Sequence, residues 1–334
     1  MFNRRTSLVA GVAAFAVTAG LTVSAWAADE FKPAVIFDMG GKFDKSFNEA
    51  AYNGAERFKA ETGINYLEFE ITNESQREQA MSRMIRNKAS IVVVVGFQNK
   101  SPLEVIAPAN TKTKFTIIDS VVEEPNVQSV VFKEHEGSFL VGMAAALASE
   151  TGKVGFVGGM DIPLIRNFAH GYEQGVKKVN PDAEVFVNMT GTTPAAWNDP
   201  AKGTELAISQ FDRGADVVYA AAGATGLGVL QAAADQGKLS IGVDSNQNHI
   251  HSGSVLTSML KRVDVAVYNA FKGAMDGTWV ANVQNLGLAE EGVGYAIDEH
   301  NRELITEDME AQLEEAKAQI VAGELSVQDY YSTQ

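Results

Sequence analysis

The chain has 334 residues, with 42 acidic against 27 basic side chains, a formal charge of −15 and no cysteine. The acidic balance argues against nucleic-acid binding, which needs clustered Lys and Arg, and against adhesion to anionic lipid. The missing cysteine excludes disulfides, cysteine-based metal sites, thiol catalysis and lipid attachment through an N-terminal cysteine.

Arg4 and Arg5, the uncharged run from Leu8 to Ala25 and the small-x-small pattern Ala25-Trp-Ala27 predict an export signal over residues 1–27. An uncleaved anchor is the competing reading, because the run is just long enough to span a bilayer. Its Ala, Gly, Ser and Thr content is weakly apolar, which favours cleavage after Ala27. Thr6-Ser7 fits a twin-arginine signal poorly, so the general secretory route is expected. The remaining chain is long enough for two domains with separate cores.

Beyond the signal, Pro33 to Phe37 reads as a buried strand, and the segment Asp38-Met-Gly-Gly-Lys-Phe-Asp-Lys-Ser-Phe-Asn48 follows it. Ala50, Ala51, Gly54, Ala55 and Phe58 then recur at helical spacing. Ser46 and Glu49 form an S-x-x-E capping box, which predicts a helix starting at Ser46. Further strand-like runs are Ile64–Glu70, Ile91–Gly96, Phe115–Asp119, Val127–Phe132, Val154–Val157 and Val185–Met189. Val217–Ala221, Ser240–Asp244, Val255–Leu260 and Gly294–Ile297 continue the series. Helical patterns separate most of them, among them 76–88, 136–149, 164–179, 203–213, 226–236 and 263–275. This alternation predicts an α/β fold of parallel sheets, and the strand count suits two doubly wound lobes.

Charged residues close several of these runs: Asp38, Asp119, Asp244 and Lys261. Each alone reads as a solvated strand end or a helix cap. Four together, beside Phe47 and Asn48 in the first turn of a helix, predict a shared crevice at the carboxyl edge of the sheets. An ionised carboxylate accepts several hydrogen bonds and suits a diol or ring N–H and NH₂ groups. One lysine facing three carboxylates disfavours phosphate. Trp197 lies in the polar loop 192–200, where packing gives little reason for it. Phe43 is assigned to the rim, and Phe97 and Phe168 to the core.

Gly223-Ala-Thr-Gly-Leu-Gly228 lies between a strand and a helix, but its glycine order is not that of a dinucleotide fingerprint. It reads as a turn whose backbone at Gly223 approaches a ligand. The five histidines have no metal-ligand spacing, and neither a G-x-S-x-G elbow nor an H-E-x-x-H motif is present. No metal and no cofactor is expected. A Walker motif is also missing, so any ATPase must be a separate subunit.

Five motifs occur in order: the Asp38–Asn48 segment, Val154-Gly-Phe-Val-Gly-Gly159, Trp197-Asn-Asp-Pro-Ala-Lys-Gly203, residues 214–228, and Val255 to Ala266. In this the chain resembles the basic membrane protein family of substrate-binding proteins, many of which are lipoproteins and the best understood nucleoside receptors. The resemblance implies a type I periplasmic binding protein, with two lobes joined by a three-segment hinge crossing near 127–131, 246–254 and 281–290. Residues 28–128 and 254–282 would form lobe 1, and 129–253 and 283–334 lobe 2. It also implies a non-enzymatic receptor that delivers a nucleoside, a purine first, to the permease of an ABC importer. Asp244 would hold the ribose hydroxyls with help from Lys261, and Asp38 would read an edge of the base. Asn48 and Asp119 would add contacts, and Phe47 and Trp197, from opposite lobes, would sandwich the ring. Lys261 is expected on lobe 1. Relatives usually carry glycine where this chain has Ala224. Without a lipidated cysteine, a free periplasmic protein with no membrane anchor is expected. A same-fold receptor for a cationic or signalling molecule and a secreted nucleoside hydrolase are the rivals.

Overall fold

Strands that are apolar on both faces must be covered twice, and the chain answers with helices on each side of two sheets. The computed structural model describes residues 31–333, so the expected signal over 1–27 lies outside the described residues. The first part of the chain runs β1 (Pro33–Phe37), α1 (Phe47–Thr62), β2 (Leu67–Glu70), α2 (Arg77–Arg86), β3 (Ile91–Val94), α3 (Lys100–Ala109), β4 (Lys114–Ile118) and β5 (Val127–Phe132). It continues through α4 (Glu134–Ala148), β6 (Lys153–Met160), α5 (Pro163–Val179), β7 (Glu184–Gly191), α6 (Pro200–Asp212), β8 (Val217–Ala221), α7 (Gly226–Asp235) and β9 (Leu239–Asp244). β10 (Val255–Lys261), α8 (Val263–Asp276), β11 (Val283–Leu286), β12 (Val293–Tyr295) and α9 (Glu307–Val321) complete it. Among the described residues no helix is long and apolar enough to cross a membrane.

The first sheet has the order β11-β5-β4-β3-β1-β2 and is parallel throughout. The second has the order β12-β10-β9-β8-β6-β7, with only β12 antiparallel. Every residue of β1 is buried. Its period-two alternation sends Ala34 and Ile36 into one core, with Met81 and Met84 of α2, and Val35 and Phe37 into another, with Ala55 and Phe58 of α1. The second sheet repeats the scheme, with Val218 and Ala220 of β8 facing α6 and α7.

Three expected boundaries move. β5 pairs with β4 through Val127–Val130 and with β11 through Ser129–Phe132, so the first sheet extends to Phe132 rather than to 128. β10 pairs with β9, which puts residues 255–261, and Lys261 with them, in the second sheet. The chain crosses back at Arg262, because α8 packs on α1: a Cβ on Gly54 would strike the Asp264 backbone, and Phe58 meets Phe271 edge-on at 5.4 Å. Residues 283–286, placed in the second lobe from sequence, pair with β5 in the first sheet. The chain thus passes to the second sheet after Phe132, returns at Arg262, and passes over again between β11 and β12 at 287–292, which overlaps the expected crossing at 281–290.

Candidate functional site

In both sheets the chain leaves the first strand in two directions: β1 lies between β2 and β3, and β6 between β7 and β8. Crevices open at the carboxyl side of such switch points. The two crevices face each other here and form one cavity, with about 590 Å³ of space unoccupied by protein atoms, mouth included. Small-molecule sites span roughly 300–1,000 Å³.

From the first half come Asp38 and Met39 after β1, Asp44, Phe47 and Asn48 around the start of α1, Gly96 and Phe97 after β3, and Asp119 after β4. Asp38 is buried and pairs with Arg77 of α2 at 2.7 Å. Gly96 has φ +100°, and a Cβ there would strike the Asp38 carboxylate, so only glycine fits. Asn48 is committed to backbone. Its Oδ1 accepts from the Asp38 N–H at 2.9 Å, and its Nδ2 donates to the carbonyls of Asp38 and Gly41, both at 3.2 Å.

The start of α1 departs from expectation. Ser46 occupies the N-cap position, but its side chain makes no capping bond. The buried Asp44 carboxylate accepts the backbone N–H groups of Ser46, Asn48 and Glu49 at 2.8–3.1 Å and caps the helix instead. This frees the Ser46 hydroxyl to donate across the cleft to Asp244. Two further bonds join the same loops, from Ser245 Oγ to the Ser46 carbonyl at 2.9 Å and from Gln247 Nε2 to the Lys45 carbonyl at 3.0 Å.

The second half contributes Leu164, Ile165 and Phe168 of α5, Trp197 between β7 and α6, Ala221 at the end of β8 and Gly223 just after it, Val243 and Asp244 at the end of β9, and Lys261 at the end of β10. A Cβ on Gly159 would occupy the space of the Trp197 ring, so this last glycine of the Val154–Gly159 motif makes room for the indole, whereas Gly158 makes room for Met189 and Ile165. Gly223 has φ +58° and its Cα faces the Trp197 carbonyl. Ala224 lies outside the left-handed region, so the missing second glycine costs nothing there. Asp119 and Asp244 do adopt φ +69° and +63°. Side chains rarely hold that conformation, and two such carboxylates at strand ends in one cavity mark strain retained at a site.

Lys261 is the hub of the charges. Its side chain is 2 % exposed, and its ammonium lies 2.7 Å from Asp119 and 3.1 Å from Glu134. The rings of Phe47, Phe132 and Phe168 surround it at 5.1–5.4 Å. Burial alone would depress its pKa, but Asp119, Glu134 and Asp244 hold it above the usual lysine range. Burial pushes Asp244 up to about 6, against Lys261 and the Ser46 hydroxyl. It pushes Asp44 up to about 7, against three backbone N–H groups, and raises Asp38 and Glu134 as well. In and behind the cavity five carboxyl groups (Asp38, Asp44, Asp119, Glu134, Asp244) meet two cations, Arg77 and Lys261.

All eight residues singled out from sequence, Asp38, Phe47, Asn48, Asp119, Trp197, Gly223, Asp244 and Lys261, line this one cavity. Phe97 and Phe168, assigned to the core, line it too, although Phe168 also belongs to the large core cluster. Phe43 is 61 % exposed, stacked edge-on against Tyr52 and outside the cavity lining. Sequence reasoning missed Arg77, Asp44, Ser46 and Glu134. Only Asp44 carried a usable signal, an Asp two residues before an expected cap.

The family described as "ABC transporter substrate-binding protein PnrA-like" matches residues 31–330. A CD4+ T-cell-stimulating antigen of Listeria monocytogenes is 33 % identical, with 89 % of this chain and 88 % of that protein covered. An ABC transporter nucleoside-binding protein of Lactococcus lactis is 30 % identical, with 89 % of each chain covered. A solved solute-binding protein of an Aeropyrum pernix ABC transporter superposes with a TM-score of 0.81 at 31 % identity, covering 89 % of this chain and 92 % of that one. The fold is that of type I periplasmic binding proteins. With its cleft between two doubly wound sheets and its matching motifs, the chain belongs to the PnrA-like family of ABC transporter substrate-binding proteins, non-catalytic receptors that hand a solute to permease subunits.

Proposed function

We propose that the solute is a nucleoside, a purine first, held in the cavity between the two sheets. The observation that carries this reading is the lining: an aromatic from each half, Phe47 and Trp197, with carboxylates at strand ends around them. A planar base stacks on such rings for roughly 1–3 kcal/mol, with little preference among bases. Asp244 is suited to the ribose hydroxyls with Lys261 beside it, and Asp38 to a polar edge of the base. Asp119 is neutralised by Lys261, and Asn48, whose amide is spent on backbone, acts by holding the Asp38 loop. Gly223 offers backbone next to Trp197. The excess of carboxyl groups disfavours phosphate. The Lactococcus relative is itself named for nucleoside binding.

The test is thermal melting with adenosine, guanosine and inosine against their monophosphates. At 100 times Kd a ligand stabilises by about 2.7 kcal/mol, which such an assay resolves. Nucleosides should raise the melting temperature and monophosphates should not. Equal shifts would remove the electrostatic argument.

A cationic ligand fits less well, because the rings that would receive an ammonium already surround that of Lys261. Choline should leave adenosine binding unchanged. We also propose export and release into the periplasm without an anchor; the mature protein should then begin at Ala28 by mass spectrometry of an osmotic-shock fraction. An intact Met1 in the membrane fraction would overturn that.

A further inference from the structure

Lys261 reaches the cavity on a flexible four-carbon stem, and an ammonium has three donors without fixed direction. Its position must come from its partners. One, Asp119, lines the cavity; the other, Glu134, does not. Glu134 is the first residue of α4, with its side chain 1 % exposed. A carboxylate suits that end of a helix, but a buried one needs each oxygen satisfied. One oxygen takes Lys261, and the other accepts from Asn167 Nδ2 of α5 at 3.1 Å.

Asn167 is 2 % exposed, and its amide has one sensible orientation. Nδ2 faces Glu134, which only accepts, and lies 3.3 Å from His135 Nδ1. Oδ1 accepts the backbone N–H of Tyr330, which only donates, at 3.1 Å. That donor belongs to the C-terminal tail. The tail is tied down separately, since the Gln174 side chain exchanges hydrogen bonds with the backbone N–H and carbonyl of Gln328 at 2.8 and 2.9 Å. Asp329 and Tyr331 of the same tail wall a second, polar cavity behind Glu134 that shares Asp119 with the first.

We propose that Glu134 and Asn167 are positioning residues for Lys261, and that the C-terminal tail, through the Tyr330 N–H, fixes the ammonium at the ligand cavity. The chain Tyr330–Asn167–Glu134–Lys261 is directional: a donor-only group at one end orients an amide, which orients a carboxylate, which orients the lysine. The binding arm of the test rests on the nucleoside reading; the proposal itself does not.

The decisive variant is Tyr330→Pro in the full chain. It removes the N–H, and proline is tolerated at the first position of the short turn that begins there. Tyr330→Ala keeps the N–H and controls for loss of the ring. Two readouts are taken: calorimetric titration with adenosine, and the ¹⁵N–¹H signal of the Lys261 ammonium, assigned by its loss in Lys261→Met. Tyr330→Pro should weaken adenosine about 5-fold, as expected for one lost hydrogen bond, and should shift the ammonium signal and speed its exchange with water. Tyr330→Ala should do neither. Glu134→Gln should weaken adenosine about 10-fold in the parent and not at all in Lys261→Met, because coupled residues are not additive. An unchanged ammonium signal in both Tyr330→Pro and Glu134→Gln would overturn the proposal, as would equal loss in the two backgrounds. If the parent bound no adenosine, the nucleoside reading would fail, and the ammonium signal would still decide the positioning role.

Discussion

The two halves of the cleft close a strand with aspartate and settle its charge in different ways. Asp38, after β1, pairs at 2.7 Å with Arg77 from a helix of the same half, and the two side chains are 11 and 5 % exposed. Asp244, at the end of β9, takes the hydroxyl of Ser46 from the opposite half, while Lys261 acts on it through space. Among the described residues no Lys or Arg forms a salt bridge with it. The environment of Asp38 is therefore complete within one sheet and its helices, whereas that of Asp244 is completed only where the halves meet. A carboxylate of the first kind is part of the scaffold. One of the second kind responds to closure and to what the cavity holds.

Breaking the scaffold pair should have the largest effect. Arg77→Met removes one partner of a buried ion pair and leaves a buried carboxylate, which costs about 3–5 kcal/mol. Urea denaturation of the unliganded protein should register this loss as a lower midpoint. A change below about 1 kcal/mol would mean that Asp38 is already protonated in the parent and that the pair is not ionic. Trp197→Ala comes next and acts on binding rather than folding. It should weaken adenosine and guanosine alike, by about 1–3 kcal/mol. A loss confined to one base would point to edge recognition instead of stacking.

Asp244→Asn should be milder, with adenosine weakened about 10-fold, since charged hydrogen bonds contribute roughly 1.5–3 kcal/mol and asparagine keeps one acceptor. The pH dependence makes this sharper. The pKa of Asp244 is raised from 3.8 to about 6, so between those values the folded state binds the extra proton and the unliganded protein loses stability as pH rises. Diol recognition needs the ionised form, so affinity should instead increase as pH rises through about 6. Asp44 titrates near the same range, facing Asp244, and contributes its own slope. The contribution of Asp244 is the difference between parent and Asp244→Asn, by calorimetry at several pH values. Parallel profiles for the two would remove Asp244 from the sugar.

This contrast also explains what was legible in the sequence. Asp38, Asp119, Asp244 and Lys261 announce themselves because each ends an apolar run, and strand ends of a doubly wound sheet converge on one edge. The partners do not. Arg77 and Glu134 begin helices, where a charged residue ordinarily faces solvent, and nothing local says that these point inward. Ser46 was hidden by a well-formed capping pattern, and the true cap, Asp44, competes with it at two residues' distance. The sheet that holds β10 was illegible for a different reason. Periodicity finds a strand but not its neighbours, and the return at Arg262 carries no linker composition.

The smallest effect expected is also the most specific to closure. Ser46→Ala deletes one hydroxyl that bonds Asp244 across the cleft and has the Val243 carbonyl at 3.4 Å. A hydrogen bond of this kind contributes about 0.5–1.5 kcal/mol net, somewhat more to a charged acceptor. Because Asp44 rather than Ser46 caps α1, the helix should survive, and the melting temperature should fall only slightly. The loss should appear where the two halves must meet. Adenosine affinity should drop roughly 3- to 10-fold, with the fall carried by faster dissociation, since Ser46 acts after the lobes close. Ser46→Thr should restore it, because it returns the hydroxyl, whereas a capping role would be restored by Ser46→Asp, which here sets a second carboxylate against Asp244. Stopped-flow dissociation of adenosine from the three variants separates the cases. Rescue by aspartate and failure by threonine would make Ser46 a helix cap after all.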